Sequence, residues 1–112
     1  MTERGDIWLA DLNPPQGTEP GKTRPVLVVQ ATALSRSEHP STVIAPLTTR
    51  LVDGAEPLRI RVAAREDLER ESDVLVDQLR AIDNRRLVRR LARPDAEVLD
   101  RVDAAIRDVL DL

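Results

Sequence analysis

The sequence predicts a mainly β fold with helices: an antiparallel barrel or sheet of about five strands, covered by one long C-terminal helix. Short β-branched and apolar runs recur along the chain, each bounded by Pro, Gly or polar residues, as expected of strands joined by turns. The clearest stretch of helical periodicity comes last. Strands first and a long helix at the end favour an antiparallel arrangement over alternating β-α units, which need a helix after nearly every strand. A length of 112 residues suits one domain over 1–112.

The first strand is read at Asp6 to Leu12 (DIWLADL), between Gly5 and Asn13-Pro14-Pro15. Asn13 to Thr23 follows with three Pro and two Gly in eleven residues, too broken for a helix or central strand. It reads as a long loop, and loops of this length in small domains are commonly binding elements or lids. Pro25 to Gln30 (PVLVVQ) is a continuous apolar run and reads as a buried strand, with Pro at the end where it breaks no ladder. After the polar connection ATALSRSEHPS, Thr42 to Leu47 (TVIAPL) is again β-branched. Pro46 there marks a bulge, an edge or a strand end.

Leu58 to Val62 (LRIRV) alternates apolar residues with Arg, so Arg59 and Arg61 are expected to point together from a wet face. Val74 to Ile82 (VLVDQLRAI) contains a further strand, interrupted by Asp77, Gln78 and Arg80, and Asp83 to Leu87 suits a helical turn capped by Asp83. Beyond Pro94, residues Val98, Leu99, Val102, Ala105, Ile106, Val109 and Leu110 recur at helical spacing. They define an amphipathic helix with one face for the sheet.

Composition excludes several chemistries. With no Cys there is neither a disulfide framework nor a thiolate nucleophile, and one histidine, His39, cannot form a two-histidine acid/base pair. Multi-histidine zinc sites are excluded for the same reason. With no Phe or Tyr and one Trp, successive bases cannot stack on a row of aromatic rings. The net charge of -3 argues against polyanion binding over the whole surface, so any nucleic-acid contact must be local. No apolar run approaches the roughly 18 residues of a membrane span, and the N-terminus lacks a signal-peptide pattern, so a cytoplasmic chain is expected.

Charged segments have ordinary readings too. Arg65 to Asp73 (REDLERESD) reads as a solvated, helical or charged face with internal pairing, His39 as a solvated loop side chain, and Arg4-Gly5-Asp6 as the lead into a strand. Arg80 to Arg93 holds six Arg and one Asp. This block either faces phosphates or neutralises the acidic final segment Asp95 to Leu112, and the sequence favours neither.

Four motifs occur in order: GDIW, NPPQGTEPGKTRPVLVVQ, a strand ending APLT, and VLVDQLRAID. From Arg4 to about Leu110 the chain resembles the MazF/PemK toxins of bacterial toxin-antitoxin systems. The resemblance implies an SH3-like small β-barrel, a homodimer, and a sequence-specific, metal-independent endoribonuclease that needs no cofactor. It implies single-stranded RNA, mainly mRNA, as substrate, growth inhibition as outcome, and a MazE-like antitoxin whose C-terminal tail blocks the site. The Arg of Lys22-Thr23-Arg24-Pro25 and the hydroxyl of APLT carry over as catalytic, which here are Arg24 and Thr48. Contacts to RNA are implied for Gln16, Gly17, Thr18 and Glu19 of the long loop, and for Thr49, Leu58, Arg59, Asp77 and Gln78. Asp77 stands where many relatives have Glu, and Leu58-Arg59 falls in a variable stretch, so base preference is not carried over.

The chemistry is physically sound. RNA brings its own nucleophile, the ribose 2′-OH, so cleavage needs alignment of that oxygen with phosphorus and stabilisation of the charge that develops. A guanidinium matches phosphate oxygens and a hydroxyl adds a short donor. Arg is a poor general base near neutrality, so Arg24 is given charge stabilisation first and proton donation to the leaving 5′ oxygen second. By spacing alone the preferred reading is Arg24 as a strand-initial residue pairing with Glu19 or Asp77 and Thr48 as a routine strand-end hydroxyl; the resemblance reverses that preference in favour of catalysis. The alternatives are a CcdB-like toxin that binds DNA gyrase without cutting RNA, and a non-catalytic module whose positive block holds RNA or an acidic peptide.

Overall fold

A computed structural model describes residues 2–13, 17–18 and 22–112. Seven strands are present: β1 (Ile7–Asp11), β2 (Thr23–Val28), β3 (Ser41–Thr48), β4 (Arg59–Val62), β5 (Ser72–Leu75), β6 (Arg80–Asp83) and β7 (Leu87–Ala92). A short helix α1 (Thr32–Arg36) follows β2, and the long helix α2 (Ala96–Leu110) ends the chain. All pairings are antiparallel and run in the order β4-β5-β3-β2-β1-β7, with β6 also on β3. The path does not close by strand pairing between β4 and β7. Its ends are instead linked by Asp67, after β4, whose N–H donates to the Leu91 carbonyl of β7 at 3.0 Å. The result is a barrel-like sheet.

Two extra strands appear where the sequence suggests one or none. Val74 to Ile82 is not one strand: β5 pairs with Leu47 and Thr48 of β3, whereas β6 pairs with Ser41 to Ile44. A 3-10 turn at Val76–Gln78 carries the chain from one stretch of that β3 edge to the next. Pro46 lies inside an eight-residue strand at this change of partners, so it neither bulges nor ends β3. A residue without an N–H is tolerated where the neighbouring ladder is interrupted anyway. β7 escapes the periodicity because its pairing with β1 is broken by two register shifts and its middle is Arg-rich.

Arg65 to Asp73 is not helical. It forms a turn closed by paired Arg65 and Leu68, then enters β5, where Asp73 is buried. The capped turn at Asp83 is present: its carboxylate accepts from the Arg85 N–H at 2.8 Å ahead of a 3-10 turn over Asn84–Arg86. Among the described residues, four Arg of the Arg80–Arg93 block pair away from α2: Arg85 meets Asp83, Arg89 meets Asp67, Arg90 meets Asp6 and Glu66, and Arg93 meets Asp6. Carboxylates of the final segment pair elsewhere, Asp103 with Arg4 and Asp95 with Arg65.

Alternation along the strands buries both faces of the sheet. Ile7, Leu27, Ala45 and Leu47 face the core under α2, where Val98, Leu99, Val102, Ala105, Ile106 and Val109 pack. Ala10, Leu12, Val26, Val28, Ile44 and Ile82 form a second cluster with Trp8 and Leu87. The unbroken apolar run of β2 follows directly, since a strand covered on both sides has no wet face to mark.

Candidate active site

Arg24 and Thr48 meet because β2 and β3 pair in a register that sends their outer ends to one place. The ladder pairs Val26 with Pro46; extended by two residues, the same register sets Arg24 opposite Thr48 with both side chains on one face. The Arg24 guanidinium donates to the Leu47 carbonyl at 3.3 Å. A cavity of about 310 Å³ opens here, with Arg24, Thr48, Thr49, Lys22 and Arg50 in its wall. Partial burial lowers the Arg24 pKa from its ordinary value, because desolvation disfavours the charged form.

The start of β2 is anchored at the neck of the long loop. Leu12 N–H donates to the Lys22 carbonyl at 2.9 Å, and the Asn13 side chain accepts from Lys22 N–H at 2.7 Å. Arg86 closes over this neck, donating to the carbonyls of Asp11 at 3.0 Å and Asn13 at 2.7 Å. Gly17 and Thr18 form an exposed turn within the loop. Gln16 and Glu19 lie outside the described residues.

Beyond β3, a buried carboxylate ties down the segment that carries Thr48 to Val52. Asp73 is opposite Thr48 in the β3–β5 ladder and its side chain is 1% exposed. It accepts from Val52 N–H at 3.0 Å, from Arg61 Nε at 2.6 Å and from Arg59 Nη1 at 3.2 Å. Arg59 also donates to the Arg50 carbonyl at 2.7 Å. Arg59 and Arg61 do share a face, but they turn onto Asp73 rather than into open solvent. Thr48 Oγ1 accepts from Arg50 N–H at 3.2 Å, which leaves the hydroxyl proton available to a ligand.

The structure therefore gathers Arg24, Thr48 and Thr49 in one cavity and sets the other candidates around it. Arg59 is joined to the cavity wall through the Arg50 carbonyl, and exposed Leu58 precedes it. Asp77 and Gln78 stand on the 3-10 turn between β5 and β6, beside the middle of β3, and do not line the cavity. Lys22, Arg50, Ser72 and Asp73 were not singled out by sequence reasoning. Among the described residues, the side chains of Lys22 and Arg50 make no ion pair. Nine other Arg do: Arg4, Arg59, Arg61, Arg65, Arg85, Arg89, Arg90, Arg93 and Arg101.

A barrel-like antiparallel sheet with a cationic, hydroxyl-bearing cavity at the ends of two central strands defines a small β protein suited to an anionic ligand. The chain belongs to the PemK-like, MazF-like toxins of type II toxin-antitoxin systems, which residues 3–110 match. It is 36% identical over 113 residues to Endoribonuclease EndoA of Bacillus subtilis (strain 168), covering 100% of this chain and 97% of that protein. Among solved structures it is similar to MazF of Deinococcus radiodurans, with a TM-score of 0.83, 26% identity and coverage of 99% of this chain and 97% of that one. It is likewise similar to a chain of the MazE-MazF complex of the same organism, with a TM-score of 0.77, 26% identity and coverage of 99% and 96%.

Proposed function

We propose that the chain is the endoribonuclease toxin of a type II toxin-antitoxin pair, cutting single-stranded RNA, mainly mRNA, at specific sequences without a metal ion, and so stopping translation and growth. The observation that carries this reading is the meeting of Arg24 and Thr48 in one cationic cavity, in a chain similar over its whole length to an endoribonuclease. That relationship favours RNA cleavage over the gyrase-binding alternative.

In this reaction the ribose 2′-OH attacks the adjacent phosphorus. The O2′–P bond forms as the P–O5′ bond breaks, the 2′ oxygen loses its proton and the 5′ oxygen gains one, leaving a 2′,3′-cyclic phosphate and a 5′-hydroxyl. The phosphorane-like transition state carries more negative charge than the substrate, so donors aimed at its oxygens bind it better than the ground state. Arg24 supplies the charged donor, and its lowered pKa also makes it a better acid toward the departing 5′ oxygen. Thr48 adds the proton of a hydroxyl whose oxygen is already held by Arg50 N–H.

The same cavity suits the acidic tail of a MazE-like antitoxin, which would fold onto it and block RNA; similarity to the MazE-MazF complex supports that partner. A homodimer in the cytoplasm completes the reading, and no helix of the described residues is long and apolar enough to cross a membrane. The test is to map RNA ends after incubating wild-type and Arg24→Ala protein with a long unstructured RNA in excess EDTA. Discrete cuts with cyclic-phosphate ends from wild type, reduced at least about 100-fold in the variant, are expected for loss of a principal transition-state donor. RNA left intact by both proteins refutes the nuclease reading.

A further inference from the structure

A second cavity of about 290 Å³ adjoins the first, and the two share Pro25, Thr49 and Ser72 as a common wall. Its lining includes the apolar side chains Leu9, Pro25, Leu68 and Leu91, of which Leu68 and Leu91 belong to the core under α2 and Leu9 packs against it. Glu69 and Arg70 also line it, both are exposed, and neither side chain has an ion pair among the described residues. The other carboxylate there, Asp67, is occupied by Arg89 at 3.1 Å.

From this arrangement we infer that the second cavity is a nucleobase subsite, holding the base of a nucleotide that flanks the scissile phosphate and preferring bases with an exocyclic amino group over uracil. The inference rests on the nuclease reading above, since it is the phosphate between Arg24 and Thr48 that places a neighbouring nucleotide at the shared wall. A flat heterocycle buries its faces on apolar side chains and keeps its polar edge toward donors and acceptors, and single-stranded RNA is read through such splayed bases. In a chain without Phe or Tyr, an aliphatic slot takes the place of an aromatic platform. Glu69 is an acceptor-only carboxylate, so it pairs with the exocyclic amino groups of cytosine, adenine or guanine, whereas the single N3–H donor of uracil lies between two carbonyl oxygens that repel it. Arg70 supplies a cation for the backbone of the same nucleotide. The acidic antitoxin tail is the poorer occupant, because Glu69, which has no ion pair among the described residues, would face its carboxylates.

The experiment uses the full-length chain on a pool of RNAs with randomised sequence, and sequences the ends produced by wild type, Glu69→Gln and Glu69→Lys. Both variants alter an exposed side chain without a described partner, and circular dichroism checks that they are folded. The expected result is a wild-type bias against uracil at one position beside the cut. Glu69→Gln should weaken that bias about tenfold, in keeping with the loss of one good base-edge contact. Glu69→Lys, now a donor, should invert it toward uracil or guanine carbonyls. If wild type gives no discrete ends, the nuclease reading itself fails. If wild type cuts but base frequencies at every flanking position are the same in all three proteins, the subsite is overturned while the nuclease reading stands. The subsite is equally overturned if the substitutions change only antitoxin binding or the oligomeric state.

Discussion

At the scale of single residues, the two proposed catalytic side chains differ in what can replace them. Arg24→Lys keeps the charge but loses the planar fork and the bond to the Leu47 carbonyl, so single-turnover cleavage should stay at least tenfold below wild type. Thr48→Ser, which retains the hydroxyl, should retain more activity than Thr48→Val. Asp73 makes a different prediction, because burial by itself raises its pKa while bonds from Arg61, Val52 N–H and Arg59 together bring it below the ordinary carboxylate value. A carboxyl that binds protons less readily when folded stabilises the protein above the unfolded value, near pH 4, and loses that contribution as pH falls through the folded value. Asp73→Ala should cost about 2 kcal/mol in urea melts at pH 7, as expected when hydrogen bonds to a buried charged group are lost while its partners Arg59 and Arg61 stay partly solvated, and progressively less below pH 4. Gly5 has φ +96°, and a Cβ there would lie 3.0 Å from Leu99 Cδ1 and 3.1 Å from Arg93 Nη2. Gly5→Ala should therefore destabilise by about 1–2 kcal/mol, through both the backbone and the docking of α2.

At the scale of elements, α2 is held by its apolar face, and Val102 and Ala105 are the side chains most deeply seated in it. In urea melts, Val102→Ala, which leaves a small cavity against the sheet, should cost about 1–2 kcal/mol, whereas Asp100→Ala on the exposed side should be near neutral. The Asp83 cap shows the electrostatic counterpart. Side-chain and backbone bonds from Arg85, helped by the charges of Arg85 and Arg86, lower its pKa to about 2. Its support for the turn before β7 is therefore complete above about pH 4 and disappears as pH drops through about 2. Titration of this carboxyl followed by NMR checks the value directly. Arg86 belongs to the same turn and grips the neck of the long loop. The turn thus couples β6–β7 to the end of β2 that carries Arg24.

At the scale of the whole molecule, a chain with net charge -3 attracts RNA only where its cations are not already used. Among the described residues nine Arg are ion-paired, whereas Lys22 and Arg50 are not, and these two line the cavity that holds Arg24. Phosphate contacts from Lys22, Arg24 and Arg50 to a single strand predict that log kcat/KM falls with log salt at a slope of about -2, and a further contact from Arg70 would steepen it by about 0.7. Arg50→Ala should make that slope shallower by about 0.7 while weakening cleavage of all sequences alike. A slope near zero would show that phosphate neutralisation lies elsewhere.

Much of this architecture is legible in the sequence because it depends on local pattern. The buried run of β2, the capped turn at Asp83 and the stripe of α2 all state their structure through neighbours a few residues away. The resemblance to the toxin family likewise rests on contiguous motifs. Tertiary structure alone decided the rest, where the determining partner is far along the chain. Val74 to Ile82 divides into two strands because β3 offers two separate stretches of edge, and β7 is a strand because β1 needs a neighbour despite its broken register. Arg59 and Arg61 alternate like residues of a wet face, yet Asp73, distant in sequence, draws them inward. Arg24 and Thr48 come together only through the β2–β3 register, and the adjoining slot is assembled from β1, β2, β7 and the turn before β5. Periodicity records which face of an element is covered; it carries no record of which distant residue does the covering, and a site built from several strands depends on that.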